Sequence, residues 1–418
     1  MRTYILLVII LMLISVVGIY SAALKVSPFN IDFPKFYNNL CFRRRRTTRD
    51  RIAVHGYPVE HHHVATEDGY ILGVFRIPHS HKLQNQNEYR PVVLIQHGMM
   101  GGSDAWIYVG PDNGLPYMLA DAGFDVWLGN SRGNTYSRNH SSRSTFYRDF
   151  WNFSWHEIGF YDMPAMIDYA LDTNGQGQKS IHYVGHSQGT TVFFTLMSSR
   201  PEYNEKIKTA HMFAPVAIMA HMQNKLVRAV APCLGHVNQW SHLFSSREFL
   251  PFNSFLLTFI SFLWEPLPRI ICVHFLKKFF DTGRWNLSAL AEGFGEQPAG
   301  CSTNQILHYM QEQQSGHFRL YDYGTRKNLE MYKSEQPPDY PVENITAIVH
   351  LWYSKNDVMA AVEDVLALAN RLPNKVLHQI KDPRWEHDDF ALNLEIRDYV
   401  NKPVVEIIQN FERIKNEI

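Results

Sequence analysis

Cysteine, net charge and long apolar runs are scarce in this sequence, and each scarcity excludes a class of protein. Four cysteines in 418 residues allow three disulfide pairings, and their spacing matches no zinc site; they are Cys41, Cys233, Cys272 and Cys301. The 40 basic and 40 acidic side chains cancel, so the charge gives no indication of a nucleic-acid partner. Within the body of the chain, the apolar run at residues 254–264 is too short to span a bilayer. We therefore expect no nucleic-acid binding, no metal site and no transmembrane span in the mature chain.

The amino terminus carries an apolar run of a different kind. Residues 4–17 are almost entirely apolar, follow Arg2 and precede the small residues Ser21, Ala22 and Ala23. This pattern is typical of a secretory signal peptide, which we predict at residues 1–23, with an uncleaved anchor as the alternative. Four glycosylation sequons agree with a lumenal body, at Asn139, Asn152, Asn286 and Asn344. The sequence thus predicts entry into the secretory pathway and a secreted or lysosomal protein.

Residues 24–51 show little periodicity and contain four consecutive arginines, Arg43 to Arg46. Two interpretations remain open: a solvated linker, or a pro-segment that a basic-residue-directed protease removes. If the run is a processing site, amino-terminal sequencing of the purified secreted protein is expected to find Thr47, or a residue next to it, in first position. A first residue near Leu24 would contradict processing and leave the linker interpretation.

Strand-like and helix-like segments alternate along residues 52–215. A hairpin is predicted at 64–77 with its turn at Asp68-Gly69, followed by strands at 91–96, 124–128, 180–184 and 207–215 and helices at 115–122, 155–170 and 190–197. Strands return at 346–353 and 376–380, and a terminal helix is predicted at 390–400. Such alternation indicates a largely parallel sheet, built from residues 52–215 and 342–418.

Between these two parts, residues 216–341 lose the alternation. Residues 249–280 are densely apolar and aromatic, including Phe259 and Phe262. We interpret residues 216–341 as an inserted, mainly helical cap. Some of its apolar residues must form the core of the cap itself, and the excess favours a lid with an apolar underside.

The strongest chemical signal is Gly185-His186-Ser187-Gln188-Gly189, placed between a predicted strand and a predicted helix. Strand, Gly-x-Ser-x-Gly and helix in this order are the nucleophile elbow of α/β-hydrolases. A second copy, Gly129-Asn130-Ser131-Arg132-Gly133, also follows a strand-like run but precedes a polar loop. We therefore predict Ser187 as the nucleophile and Ser131 as a residue that shapes the rim of the site.

A serine nucleophile needs a base and a carboxylate, which in this fold follow it along the chain on loops after late strands. Asp357 and His387 each follow one of the last two predicted strands. Weaker alternatives are His97 and His186 as base, and Asp364, Asp388 and Asp389 as acid; we expect His97 to hold its loop and His186 to face away across the elbow. The oxyanion donors are assigned to the backbone N–H groups of Met99 and Gln188.

These motifs resemble the acid lipases, the gastric and lysosomal neutral-lipid hydrolases. The resemblance rests on Glu67-Asp68-Gly69-Tyr70-Ile71-Leu72, Gln96-His97-Gly98, the block from Trp127 to Asn134 and the elbow from Tyr183 to Thr191. It covers the chain from about residue 55 onwards and implies the α/β-hydrolase fold, with nucleophile, acid and base at Ser187, Asp357 and His387. The chain departs from the family at Met99, where leucine is usual, and in the wide spacing of the cysteines around the cap.

The resemblance implies hydrolysis of neutral-lipid esters, triacylglycerols and also cholesteryl esters, at a lipid–water interface. The Ser-His-Asp chemistry needs no cofactor, and none is predicted. Two alternatives stay open: a carboxylesterase for soluble esters, which the apolar cap disfavours, and a non-catalytic lipid-binding protein, which the intact triad disfavours.

Overall fold

The computed structural model of the protein describes residues 46–249, 284–285 and 299–417. Several sequence predictions lie outside these residues: the signal peptide, Arg43 to Arg45, Cys41, Cys272, the sequon at Asn286 and residues 250–280 of the apolar stretch, with Phe259 and Phe262. In the described part of the chain, no helix combines the length and the apolar character that a membrane crossing requires.

A central sheet of nine strands organises the described residues. Its strands are β1 (Glu60–Ala65), β2 (Tyr70–Ile77), β3 (Val92–Gln96), β4 (Asp125–Leu128), β5 (Asn139–His140), β6 (Ile181–His186), β7 (Ile207–Phe213), β10 (Ile348–Tyr353) and β11 (Lys375–Gln379). They lie in the order β1-β2-β4-β3-β6-β7-β10-β11, with β5 paired to β2. From β4 to β11 every neighbouring pair is parallel, whereas β2 pairs antiparallel with β1, β4 and β5. The predicted, mostly parallel sheet is confirmed.

The apolar runs explain why the parallel strands lie at the centre. Strands β3, β6 and β7 are buried along their whole length, as strands covered on both faces must be. The hairpin of β1 and β2 turns at Asp68-Gly69 as predicted, with Thr66 N–H donating to Tyr70 O at 2.8 Å. Gly69 has φ +97°, which glycine adopts without the steric cost of a side chain.

Helices precede, connect and follow these strands along the chain. They are α1 (Thr48–Ala53), α2 (Leu115–Asp121), α3 (Trp155–Glu157), α4 (Met163–Asn174), α5 (Gln188–Ser199), α6 (Lys225–Leu234), α7 (Gln239–Phe244), α8 (Thr303–Ser315), α9 (Thr325–Tyr332), α10 (Val362–Arg371), α11 (Asp389–Leu392) and α12 (Lys402–Glu417). The helix predicted at 155–170 is interrupted, because a π-helical turn at Ile158–Asp162 separates α3 from α4. Between β7 and β10 the described residues form α6 to α9 and a two-stranded sheet of β8 (Glu248–Phe249) and β9 (Cys301–Ser302).

The terminal helix predicted at 390–400 is wrong in its position. Helix α11 ends at Leu392, because Asn393 turns extended and pairs with Trp285, while Leu394 N–H donates to Arg284 O at 2.7 Å. A π-helical turn at Arg397–Asn401 then leads into α12, which has Pro403 in its first turn, where a missing N–H costs no helical hydrogen bond. The apolar pattern at 390–400 therefore reflects the burial of these residues and does not correspond to one continuous helix.

Candidate active site

Ser187 lies on a tight turn between β6 and α5. Its backbone has φ +51° and ψ −117°, a strained conformation for a residue with a side chain. A Cβ on Gly185 would lie 2.7 Å from the backbone carbon and oxygen of Gly189, and a Cβ on Gly189 would lie 2.4 Å from Gln96 O. Both positions therefore require glycine, which is the physical reason for the Gly-x-Ser-x-Gly pattern.

Three predicted residues meet at this turn. The Ser187 hydroxyl Oγ lies 2.8 Å from His387 Nε2, and His387 Nδ1 lies 2.9 and 3.0 Å from the two carboxylate oxygens of Asp357. The Asp357 carboxylate also accepts from the backbone N–H groups of Met359 at 2.8 Å and Ala360 at 2.9 Å. With Nδ1–H donating to Asp357, His387 Nε2 is left as an acceptor for the serine proton.

The charges of the pair reinforce this arrangement. Burial favours the neutral forms of both groups, but the mutual attraction of Asp357 and His387 is stronger, so the pKa of Asp357 lies below its ordinary value. For the same reason the pKa of His387 lies above its ordinary value: burial lowers it, and the Asp357 charge and hydrogen bond outweigh burial. The site thus stabilises an imidazolium, the form that His387 takes after accepting a proton.

The predicted oxyanion donors, Met99 and Gln188, belong to two segments that approach each other at Ser187. Gln188 is the first residue of α5, and the loop after β3 approaches so closely that a Cβ on Gly98 would lie 3.2 Å from Ser187 Cβ. Among the residues that the structure describes, neither N–H donates to a protein acceptor. Unpaired donors at a helix amino terminus and a facing loop are suited to bind a developing oxyanion.

The other serine and histidine candidates have structural contacts. His97 Nδ1–H donates to Gly98 O at 2.7 Å, and its Nε2 accepts from Ser131 N–H at 3.1 Å; burial lowers its pKa to about 4. These contacts hold the loop, as expected. The expectation that Ser131 shapes the rim is wrong, because Ser131 is only 5% exposed and its Oγ accepts from Gln96 Nε2 at 2.8 Å.

The orientation of the His186 side chain also differs from the prediction. It does not face away from the site: its Nε2 donates to the backbone carbonyl of His387 at 3.0 Å, and the two rings lie 5.2 Å apart. Burial and the neighbouring charge of His387 lower the pKa of His186 to about 4. His186 therefore stays neutral and supports the segment that carries His387.

Two of the three alternative acids, Asp364 and Asp389, are engaged elsewhere. Asp364 accepts from the backbone N–H and from Nδ1 of His221, both at 2.8 Å. Asp389 accepts from Arg284 Nη1 at 2.9 Å and from Trp285 Nε1 at 2.6 Å. The described structure places Asp357, not these two carboxylates, within hydrogen-bond distance of His387.

Sequence reasoning did not identify two residues that make buried contacts in this part of the fold, Gln305 and Arg132. Gln305, on α8, accepts from the side-chain amide of Gln188 at 2.7 Å, and no motif marks it. Arg132, in the second glycine-serine motif, is fully buried and paired with Asp68 at 2.6 Å and Asp162 at 2.6 Å. No sequence pattern indicated that Arg132 would be buried, and its acidic partners follow from that burial.

Three of the four predicted glycosylation sites and two of the four cysteines lie in the described part of the chain. Asn139, Asn152 and Asn344 are exposed, and Asn286 lies outside the described residues. Of the two cysteines within the described part of the chain, Cys233 is half-buried and Cys301 buried, and both are free thiols.

Comparison with known proteins gives concordant matches. A model for a partial α/β-hydrolase lipase region matches residues 48–110, and a model for the α/β hydrolase fold matches residues 91–317. Lipase 3 of Drosophila melanogaster is 45% identical over 368 residues, which cover 87% of this chain and 93% of that protein. Human gastric triacylglycerol lipase is 38% identical, covering 84% and 88%, and human lysosomal acid lipase/cholesteryl ester hydrolase is 35% identical, covering 86% and 90%.

Proposed function

This chain belongs to the α/β-hydrolase-fold lipases, ester-hydrolysing serine hydrolases, and we propose that Ser187, His387 and Asp357 form the triad by which it cleaves neutral-lipid esters. The observation that carries the assignment is the hydrogen-bond chain from Ser187 Oγ through both ring nitrogens of His387 to Asp357. A carboxylate, an imidazole and a hydroxyl in this order form an acyl-transfer site.

In the proposed mechanism, His387 Nε2 removes the Ser187 proton while Oγ attacks the ester carbonyl carbon. The carbonyl oxygen becomes an oxyanion that accepts from the N–H groups of Met99 and Gln188. As the carbon–oxygen bond breaks, the imidazolium gives its proton to the departing alcohol and Ser187 carries the acyl group. Water then attacks the acyl-enzyme with His387 again as base, and the fatty acid leaves.

We propose triacylglycerols as substrates, with cholesteryl esters as a second class. Two relatives support these choices by their names, a gastric triacylglycerol lipase and a lysosomal acid lipase/cholesteryl ester hydrolase.

We also propose passage through the secretory pathway, a cap formed by residues 216–341, and glycans at Asn139, Asn152, Asn286 and Asn344. The exposure of Asn139, Asn152 and Asn344 is compatible with modification.

One comparison tests the substrate class. The purified protein is assayed on a dissolved short-chain ester and on an emulsified long-chain triglyceride, with Ser187→Ala as the blank. We expect faster hydrolysis of the emulsion per unit of ester. Activity on the dissolved ester alone would indicate a carboxylesterase, and no activity on either substrate would indicate a lipid-binding protein.

A further inference from the structure

The loop between β5 and α3 exposes two aromatic side chains. Phe146 is 87% exposed, the largest value among the large apolar side chains in the described ranges, and Tyr147 is 64% exposed. Their rings pack edge to face at 5.4 Å, so they form one apolar projection. A single exposed apolar side chain is ordinary, but two exposed aromatic rings in contact form a contiguous apolar patch, and such patches mark surfaces that meet a partner.

The loop is held by its own hydrogen bonds. Tyr147 N–H donates to Ser144 O at 3.0 Å, Trp151 N–H donates to Arg148 O at 3.0 Å, and Trp151 Nε1–H donates to Thr145 O at 2.8 Å. Two successive turns therefore fix Phe146 at the tip, and its exposure is a property of the folded loop.

Sheet register places this loop at the edge that carries Ser187. Strand β2 runs antiparallel to β4, with Ile77 opposite Val126 and Phe75 opposite Leu128, the last residue of β4. The start of β2 therefore reaches the carboxyl edge of the parallel strands, and there Tyr70 pairs with His140 of β5. Ser187 follows β6 at the same edge.

Contacts with residues of the predicted cap support this placement. Ser302 Oγ donates to Trp151 O at 2.6 Å, and Ser246 Oγ donates to the side-chain oxygen of Asn152 at 3.0 Å. Arg138, just before β5, pairs with Glu248 of β8 at 2.6 Å. These contacts place both flanks of the loop beside described residues of the predicted cap.

The charges of the loop indicate what kind of surface fits. Arg143 and Arg148 are exposed on either side of the aromatic pair, and Asp149 is the only acid among residues 141–151. Aromatic rings sit favourably at the headgroup level of a lipid layer, and arginines beside them attract anionic headgroups. A lipid surface of this chemistry matches both the apolar tip and its basic flanks.

We propose that Phe146 and Tyr147, flanked by Arg143 and Arg148, dock the enzyme on a lipid–water interface that carries anionic headgroups. This contact is separate from the cap and rests on the proposed lipase function. It brings the carboxyl edge of the sheet, with Ser187, towards the lipid surface. The enzyme is then held close to its substrate, which raises the effective concentration of substrate at the site.

The test uses full-length protein from a host that glycosylates, so that any glycans at Asn139 and Asn152 are present. Three variants are compared with wild type: F146S/Y147S, R143Q/R148Q, and Y89S as the matched control. Tyr89 is 55% exposed and precedes β3, at the opposite, amino edge of the parallel strands. Binding is measured by co-sedimentation with vesicles of phosphatidylcholine alone and of phosphatidylcholine and phosphatidylserine in equal parts, and activity on dissolved short-chain ester.

We expect F146S/Y147S to lose roughly tenfold or more of its affinity for both kinds of vesicle, because apolar insertion is lost. R143Q/R148Q should lose only the preference for phosphatidylserine vesicles, and Y89S should bind like wild type. All three variants should keep wild-type melting temperature and wild-type hydrolysis of the dissolved ester.

Wild-type vesicle binding by F146S/Y147S would overturn the docking surface while leaving the proposed function intact. If sedimentation shows that the wild type is a dimer and F146S/Y147S is a monomer, the aromatic pair joins two copies of the chain and the lipid proposal is wrong. Failure of the wild type to hydrolyse both the dissolved ester and the emulsified triglyceride would instead refute the proposed function, whatever the result of the vesicle assay.

Discussion

Replacing Ser187 with alanine is expected to reduce kcat for ester hydrolysis by roughly a millionfold, with the fold intact. The variant lacks the oxygen that attacks the carbonyl, and His387 Nε2 loses the hydroxyl now 2.8 Å away. The measurement is hydrolysis of a dissolved short-chain ester, with melting temperature as the check on folding.

Ser131→Ala is the matched control, because Ser131 occupies the same place in the second Gly-x-Ser-x-Gly sequence. Its Oγ accepts from Gln96 Nε2 inside the core, so we expect a loss of about 1 kcal/mol of stability and retention of most activity. An inactive Ser131→Ala beside an active Ser187→Ala would show that the elbow has been assigned to the wrong serine.

Replacing Asp357 with asparagine is expected to lower kcat by roughly ten-thousandfold. The asparagine keeps the shape of the side chain but removes the charge that stabilises the imidazolium, and it can hold His387 in the tautomer that cannot accept from Ser187. Asp364→Asn is the control: Asp364 is bonded to His221, so activity should be nearly unchanged. Similar, mild losses in both variants would place the catalytic acid elsewhere.

The same pair of variants has a pH signature. Only neutral His387 can accept a proton, so wild-type activity falls as the pH drops through the pKa of His387, which Asp357 holds above its ordinary value. In Asp357→Asn the carboxylate no longer raises this pKa, and the acid limb of the remaining activity should move to lower pH. An acid limb at the same pH in the variant and the wild type would contradict the assignment of Asp357 as the partner of His387.

Sequence reasoning predicted that Ser187, Asp357 and His387 meet, because each follows a strand, and the structure brings them within hydrogen-bond distance. The parallel strands β6, β10 and β11 bring their carboxyl ends to one edge, so Ser187, Asp357 and His387 converge there although the chain separates them widely. The need for glycine on both sides of Ser187 was also predicted, from the tight turn that the motif forms, and the packing of Gly189 against Gln96 leaves no space for a side chain.

What sequence reasoning missed depends on contacts between distant segments. The hydrogen bond from Gln188 to Gln305 joins two helices more than a hundred positions apart, and no local pattern encodes it. The break after Leu392 arises because Asn393 and Leu394 pair with Trp285 and Arg284, a partner segment that periodicity cannot reveal. His186 was misplaced for a similar reason: its hydrogen bond is to the backbone of His387.

The backbone conformation of Ser187 sets the stability of the turn against the need for a nucleophile. At φ +51° and ψ −117°, a side chain costs about 1–3 kcal/mol that glycine would largely avoid. The residue that would make this turn most stable is thus one that cannot act as a nucleophile. Selection for stability alone would favour losing the hydroxyl, so a serine at this position reflects a requirement for activity, and the rest of the fold must supply the stability that the turn forgoes.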